Sequence, residues 1–139
     1  MNATRIALSA LGAFVVYFAL GGLFFAAFPP LRNEFMKYPA VYRSQESMKS
    51  VMPAGMAAML MAMVVLAVLY AMLYRGGSGA IEGARFGALI GLFAVCAFVI
   101  HNHVNLNIGL TLTIKQGVAY FVEWVITGLV IGLIYRPAR

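Results

Sequence analysis

Apolar residues fall along the chain in four long runs separated by short polar stretches. Each run approaches the ~20 residues that, at 1.5 Å per helical residue, cross a ~30 Å hydrocarbon layer. The pattern predicts four membrane-spanning helices, at about 5–28, 53–74, 80–104 and 113–135. Asn2 and Thr4 are N-cap candidates for the first, and Pro29-Pro30 stops it because their rings cannot continue a helix. The second starts near Pro53, a favoured first-turn residue, and leaves at Arg75 and Gly76-Gly77, while Arg136-Pro137 closes the fourth. Residues 29–51 are polar, yet Leu31, Phe35, Tyr38 and Tyr42 recur there at helical spacing across Pro39. That spacing fits a short segment lying in the headgroup plane, and an irregular loop with incidental aromatics fits equally. The expected fold is all-α: one integral-membrane domain over residues 1–139, an antiparallel bundle of four transmembrane helices with a short interfacial segment between the first and second.

Composition strengthens this reading. Of 139 residues, 63% are hydrophobic and 10% charged, against about a quarter charged in a soluble domain. The apolar run at 6–28 exceeds the ~7–15 residues of a signal-peptide core, so it is expected to stay as a span. Ten Lys and Arg against four Asp and Glu leave a net charge of +6, scattered over loops and span ends. Such charge suits anionic headgroups of a lipid bilayer; a nucleic-acid partner is not expected. Five basic residues fall on each side of the predicted topology, so the positive-inside rule is silent. The matched endings Tyr74-Arg75 and Tyr135-Arg136 act as aromatic anchors with snorkelling charges and favour cytoplasmic termini. They also hint at a repeated hairpin, although two shared residues do not establish one. Cys96, the one cysteine, lies in an apolar run and reads as packing.

Candidate chemistry is sparse. Gly79, Gly83, Gly87 and Gly91 recur every four residues in the third span, and Gly128 and Gly132 repeat the spacing in the fourth. Without side chains there, another helix approaches closely and gains van der Waals contact, from the same chain or another. Arg85 on that helix either snorkels or pairs with Glu82. Glu123 lies near the middle of the fourth span, where a carboxylate costs several kcal/mol unless protonated or paired. Gln116, Tyr120, Glu123 and Thr127 form one polar stripe at i, i+4, i+7 and i+11. Glu123 is either the centre of a proton or cation relay or the donor of one structural interhelical hydrogen bond. At the end of the third span, His101, Asn102, His103, Asn105 and Asn107 cluster. The asparagines fit as caps for freed carbonyls. The histidines are ligand or proton-handling candidates, about 200° apart on a helix, so they share an ion only if the helix has unwound. If the third and fourth spans present these faces to each other, Glu123, Tyr120 and His101 make an inward proton chain. Met52, Met56, Met59 and Met63 share a face of the second span; thioethers suit copper, but packing is the expected role. Tyr17 needs a partner for its hydroxyl.

The run Gly83-Ala84-Arg85-Phe86-Gly87-Ala88-Leu89-Ile90-Gly91, with Gly128-Leu129-Val130-Ile131-Gly132-Leu133-Ile134-Tyr135-Arg136-Pro137, resembles small four-helix bacterial membrane proteins of uncharacterised function. These start helix three with G-x-R-F-G-x-L-x-G and end helix four with G-L-V-x-G-L-I-Y-R-P. The resemblance covers about half the chain and implies a multi-pass protein of the bacterial inner membrane, with no activity to transfer. Glu123 and the histidine cluster lie outside the shared motif.

The leading functional expectation is a non-enzymatic accessory or scaffold subunit that assembles through its glycine-lined faces, as a homo-oligomer or within a larger membrane complex. Chain chemistry offers no nucleophile with its base, no phosphate loop and no cysteine cluster. The first alternative is a proton-linked transporter or channel using Glu123. The second is a redox subunit with haem or copper at His101 or His103.

Overall fold

The computed structural model describes residues 1–136; Pro137, read above as part of the stop of the fourth span, lies outside them. Four helical stretches are long and apolar enough to cross a membrane: Ala3–Ala27, Gln45–Leu73, Gly79–Asn105 and Leu110–Tyr135. The chain is an all-α, multi-pass integral membrane protein.

In chain order the elements are α1 (Ala3–Ala27), α2 (Pro29–Met36), α3 (Gln45–Leu73), α4 (Gly79–Ala94), a π-helical segment (Val95–Ile100), α5 (His101–Asn105) and α6 (Leu110–Tyr135). Asn2 alone caps α1, its side chain accepting from the Arg5 N–H at 3.1 Å. The span predicted from residue 53 starts at Gln45 instead. Ser44 caps it by accepting from the Ser47 N–H at 3.2 Å, and Pro53 lies inside the helix at the cost of one backbone hydrogen bond. Residues 45–58 are exposed on every side, so α3 joins the bundle only from Met59 onward, through Met63, Ala67, Tyr70 and Ala71.

Helix α6 is the centre of the assembly, with α4 along one face and α1 along another, while α3 leans mainly on α1. Consecutive α3 and α4 were expected to pack as neighbours; they meet chiefly where Tyr70 reaches α4 near the connecting turn. The α4 to α6 seam is a backbone-to-backbone contact. A Cβ on Gly83 would stand 2.5 Å from the Gly128 carbonyl oxygen, and one on Gly87 would stand 3.0 Å from the Gly128 Cα and overlap the Trp124 carbonyl. Gly79 faces the Gly132 carbonyl in the same way, and a Cβ on Gly91 would stand 3.2 Å from the Phe121 and Trp124 side chains. The whole glycine ridge is therefore used within the chain. It is not a free surface for a partner, and assembly with other chains has to use other faces.

The third span does not stay α-helical. Its π-helical segment adds residues to one turn, and Val95 and Val99 both come to rest against Gly117 of α6. The start of α1 and the end of α6 share one end of the bundle, where the Arg5 guanidinium donates to the Tyr135 carbonyl at 3.4 Å.

At the other end, α2 confirms the short helical segment and excludes the irregular loop over its eight residues. Leu31 buries against Ile108 and Leu112, with Phe35, Tyr38 and Tyr42 around them. The Tyr38 hydroxyl accepts from the Gly109 N–H at 2.8 Å, and Glu34 accepts from Lys37 at 2.9 Å and from Lys115 of α6 at 3.3 Å. The Lys37 hydrogen bond, with Lys115 adding to it, holds the Glu34 carboxyl below its ordinary value. A depressed carboxylate stabilises above its unfolded pKa, about 4.3, and that stability is lost as pH falls through the lower folded value. Glu34→Gln is accordingly expected to speed hydrogen exchange at the Gly109 amide at neutral pH. The wild type should reach that state only as pH falls below the ordinary carboxylate range, and equal exchange in both proteins at pH 7 would contradict the clamp.

Candidate functional site

Halfway along α6, Glu123 is 4% exposed. At 3.6 residues per turn it points about 100° from Trp124 and about 140° from Gly128, so it cannot lie on the glycine seam. The condition set above, that the third and fourth spans present these faces to each other, is not met: α1 covers the acid. Its Oε1 lies 3.1 Å from where a Cβ on Gly21 would sit, so the absent side chain of Gly21 makes the room. Tyr17 of α1 stands beside Glu123 and Tyr120 and stacks obliquely on Trp124, ring centroids 5.2 Å apart.

This pocket has more polar atoms than partners. Glu123 Oε1, Gln116 Oε1 and Trp124 Nε1 are buried, and none has a hydrogen-bond partner among the described residues. Leaving one such group unpaired costs about 1–3 kcal/mol, so each of the three destabilises the packed helix unless a water, ion or solute reaches it. Thr127 does not help: its hydroxyl donates to the Glu123 backbone carbonyl at 2.7 Å. Toward the start of α1 and the end of α6 the face is shut by Ile131, Ala10, Ala13 and Ala67, all at or near zero exposure. Toward α2 it continues through Tyr120 and Gln116, beyond which Leu112, one turn on, is buried against Leu31 and Ile108; Lys115, beside Gln116 in sequence, donates to the Pro30 carbonyl at 3.3 Å. The stripe is thus about 10 Å long from Gln116 to Glu123, with buried apolar residues at both ends, Leu112 toward α2 and Ile131 beyond Thr127.

The remaining candidates are not brought to this pocket. His101 and Asn102 are exposed, so the inward chain from Glu123 through Tyr120 to His101 is not formed; the π-helical segment and α5 carry His101 to the outside. His103 Nδ1 lies 3.1 Å from the Thr113 hydroxyl, which is also within hydrogen-bonding distance of the Gly109 carbonyl at 3.2 Å. Because α5 is still helical, the two histidines point apart, and the condition for a shared ion is not met. Among the described residues no three His, Cys, Asp or Glu side chains gather as a metal site. The asparagines do not act as the expected caps: Asn102, Asn105 and Asn107 are exposed, and the Leu106 N–H closes α5 on the Asn102 carbonyl at 2.7 Å. Met63 is buried, but Met52 and Met56 are exposed, so the methionines do not converge on an ion. Cys96 is exposed rather than packed inside. Glu82 takes the Gly77 N–H at 3.0 Å instead of pairing with Arg85.

Sequence reasoning missed Gly21, which has no periodic partner on α1, and the π-helical segment, whose composition carries no marker. No protein family, curated protein or solved structure matches the chain.

Proposed function

We propose that the protein moves protons across its membrane, alone or with a small polar solute, and that Glu123 is the group that binds and releases them. The observation that carries this reading is the buried, unpartnered Glu123 Oε1 facing Gly21 at mid-span. In the packed arrangement the protonated acid is the form that fits. Losing the proton leaves a carboxylate that needs water, a cation or a solute to reach it. Gln116 and Trp124, each with a free polar atom, offer stations for such a guest along the same helix. The apolar closure beyond Thr127 keeps the two faces of the membrane from being connected at once, so release on the far side needs α1 and α6 to part there.

On this reading the protein belongs to the bacterial inner membrane with cytoplasmic termini, and it works by transport rather than as a scaffold. The test uses the full chain in liposomes that hold a pH-sensitive dye, with a potassium diffusion potential to drive proton entry. Wild type is expected to acidify the lumen well above empty liposomes, and Glu123→Gln at least about tenfold more slowly with unchanged helical content. A wild type indistinguishable from empty liposomes, or a Gln variant that keeps its flux, refutes the reading.

A further inference from the structure

Far from Glu123, at the end that holds the start of α1 and the end of α6, α3 and α4 diverge from the short turn that joins them. The space between them is a cleft of about 270 Å³ whose lining includes Tyr70, Arg75, Arg85 and Phe86. Its floor is aromatic: the Tyr70 and Phe86 rings meet edge to face with centroids 5.4 Å apart, and the Tyr70 hydroxyl is turned to the Gly79 carbonyl at 3.5 Å. Its walls continue outward as Leu73 and Leu89, both about two-thirds exposed. Its rim carries Arg75 and Arg85, both exposed, and neither forms an ion pair with a described residue.

The single acid in the lining, Glu82, is held by the Gly77 N–H, and the Tyr74 hydroxyl pins the same turn by donating to the Gly77 carbonyl at 3.0 Å. Two guanidinium groups against one carboxylate leave the cleft positive. Tyr74 and Arg75 end a membrane span, which puts the rim at headgroup depth. From these contacts we infer that the cleft between α3 and α4 binds one anionic phospholipid, its phosphodiester held by Arg75 and Arg85 and its acyl chains laid along Leu73 and Leu89.

Size decides how much of the lipid enters. At about 30 Å³ per water-sized group, the cleft holds roughly nine such groups, enough for a glycerophosphate but not for the chains. These have to leave sideways, and Leu73 and Leu89 line that exit. The planar guanidinium fork matches a phosphodiester with two parallel hydrogen bonds. The bound lipid also fills the gap between two helices that otherwise touch chiefly through Tyr70. This site stands independently of proton movement at Glu123, since it shares no residue with that pocket.

The test is native mass spectrometry of the full chain, stripped of lipid and titrated with phosphatidylglycerol or with phosphatidylcholine of the same chains. One phosphatidylglycerol per chain is expected, bound at least about fivefold tighter than phosphatidylcholine, since each basic residue near an anionic headgroup contributes about that factor. The double variant R75Q/R85Q is expected to lose the preference, R75K/R85K to keep part of it, and R32Q/R43Q, at the opposite end, to keep all of it. Equal binding of the two lipids by wild type overturns the proposal without recourse to any variant. So does a preference that survives in R75Q/R85Q. Displacement of phosphatidylglycerol by millimolar inorganic phosphate would show a free-anion site instead and would equally overturn it.

Discussion

Replacing Gly87 with leucine is expected to unfold the chain itself rather than to detach it from a partner. A side chain there would begin 3.0 Å from the Cα atoms of Val125 and Gly128 and overlap the Trp124 carbonyl. All of these are backbone or bonded to it, so no flexible side chain can move away to make room. Inserting methylenes into an ordinary packed core costs about 1–3 kcal/mol. A seam that must part along its backbone should exceed that, reaching about 3 kcal/mol or more of a total near 5–15. Because α6 also carries α1, separation at Gly87 exposes both faces of the central helix. The measurement is the folded monomer fraction and melting temperature after size-exclusion chromatography in mild detergent. Gly22→Ala and Gly55→Ala serve as controls, since nothing lies within 4 Å of either added Cβ; they should melt at or slightly above the wild type, alanine being the better helix residue by about 0.5–1 kcal/mol. A Gly87→Leu protein with the wild-type melting temperature would mean that the α4 to α6 contact is not the one described.

Why the ridge was legible while its partner was not is a matter of what periodicity encodes. Glycines at 79, 83, 87 and 91 announce that something approaches closely, but Gly128 and Gly132 in the same chain and an identical ridge in a second chain satisfy that pattern equally. The three-dimensional register, Gly83 on Gly128 and Gly87 on Trp124, resolves it. Glu123 shows a different limit. Its depth follows from counting residues, and so does its face, because an offset of five from Gly128 turns it about 140° away from the seam. The notion that α6 shows one face to one helix hid this; a central helix has two occupied faces. Pro53 misplaced the start of α3: the first-turn rule points to it, whereas the cap is Ser44, nine residues upstream of the expected start, and proline is tolerated inside spans whose neighbours re-satisfy the backbone. The clamp of Glu34 on Lys115 joins residues 81 apart in sequence, and no local pattern reports such a pair. Likewise Val95–Ile100 reads as ordinary apolar helix, yet its π-helical turn decides that His101 faces outward.

Glu123→Leu is expected to raise stability while abolishing proton movement, and this opposition of sign separates a working acid from a structural one. A carboxyl that held α1 to α6 by a hydrogen bond would lose that bond on substitution, and the protein would melt earlier. The Oε1 atom has no such partner, so its burial is a cost, and an apolar side chain of similar size removes about 1–3 kcal/mol of it. Leucine also needs no proton and no water to sit beside Gly21 and Tyr17. Glutamine keeps an unpaired polar group in the same place and should melt close to the wild type, which makes it the better variant for flux and leucine the better one for stability. The comparison is a thermal melt of the three proteins in one detergent, read beside their flux in liposomes. A leucine variant that melts earlier than wild type would assign Glu123 a hydrogen-bond partner and a purely structural role. One that melts later and carries no protons would identify the acid as a group that destabilises the fold and is retained for what it binds.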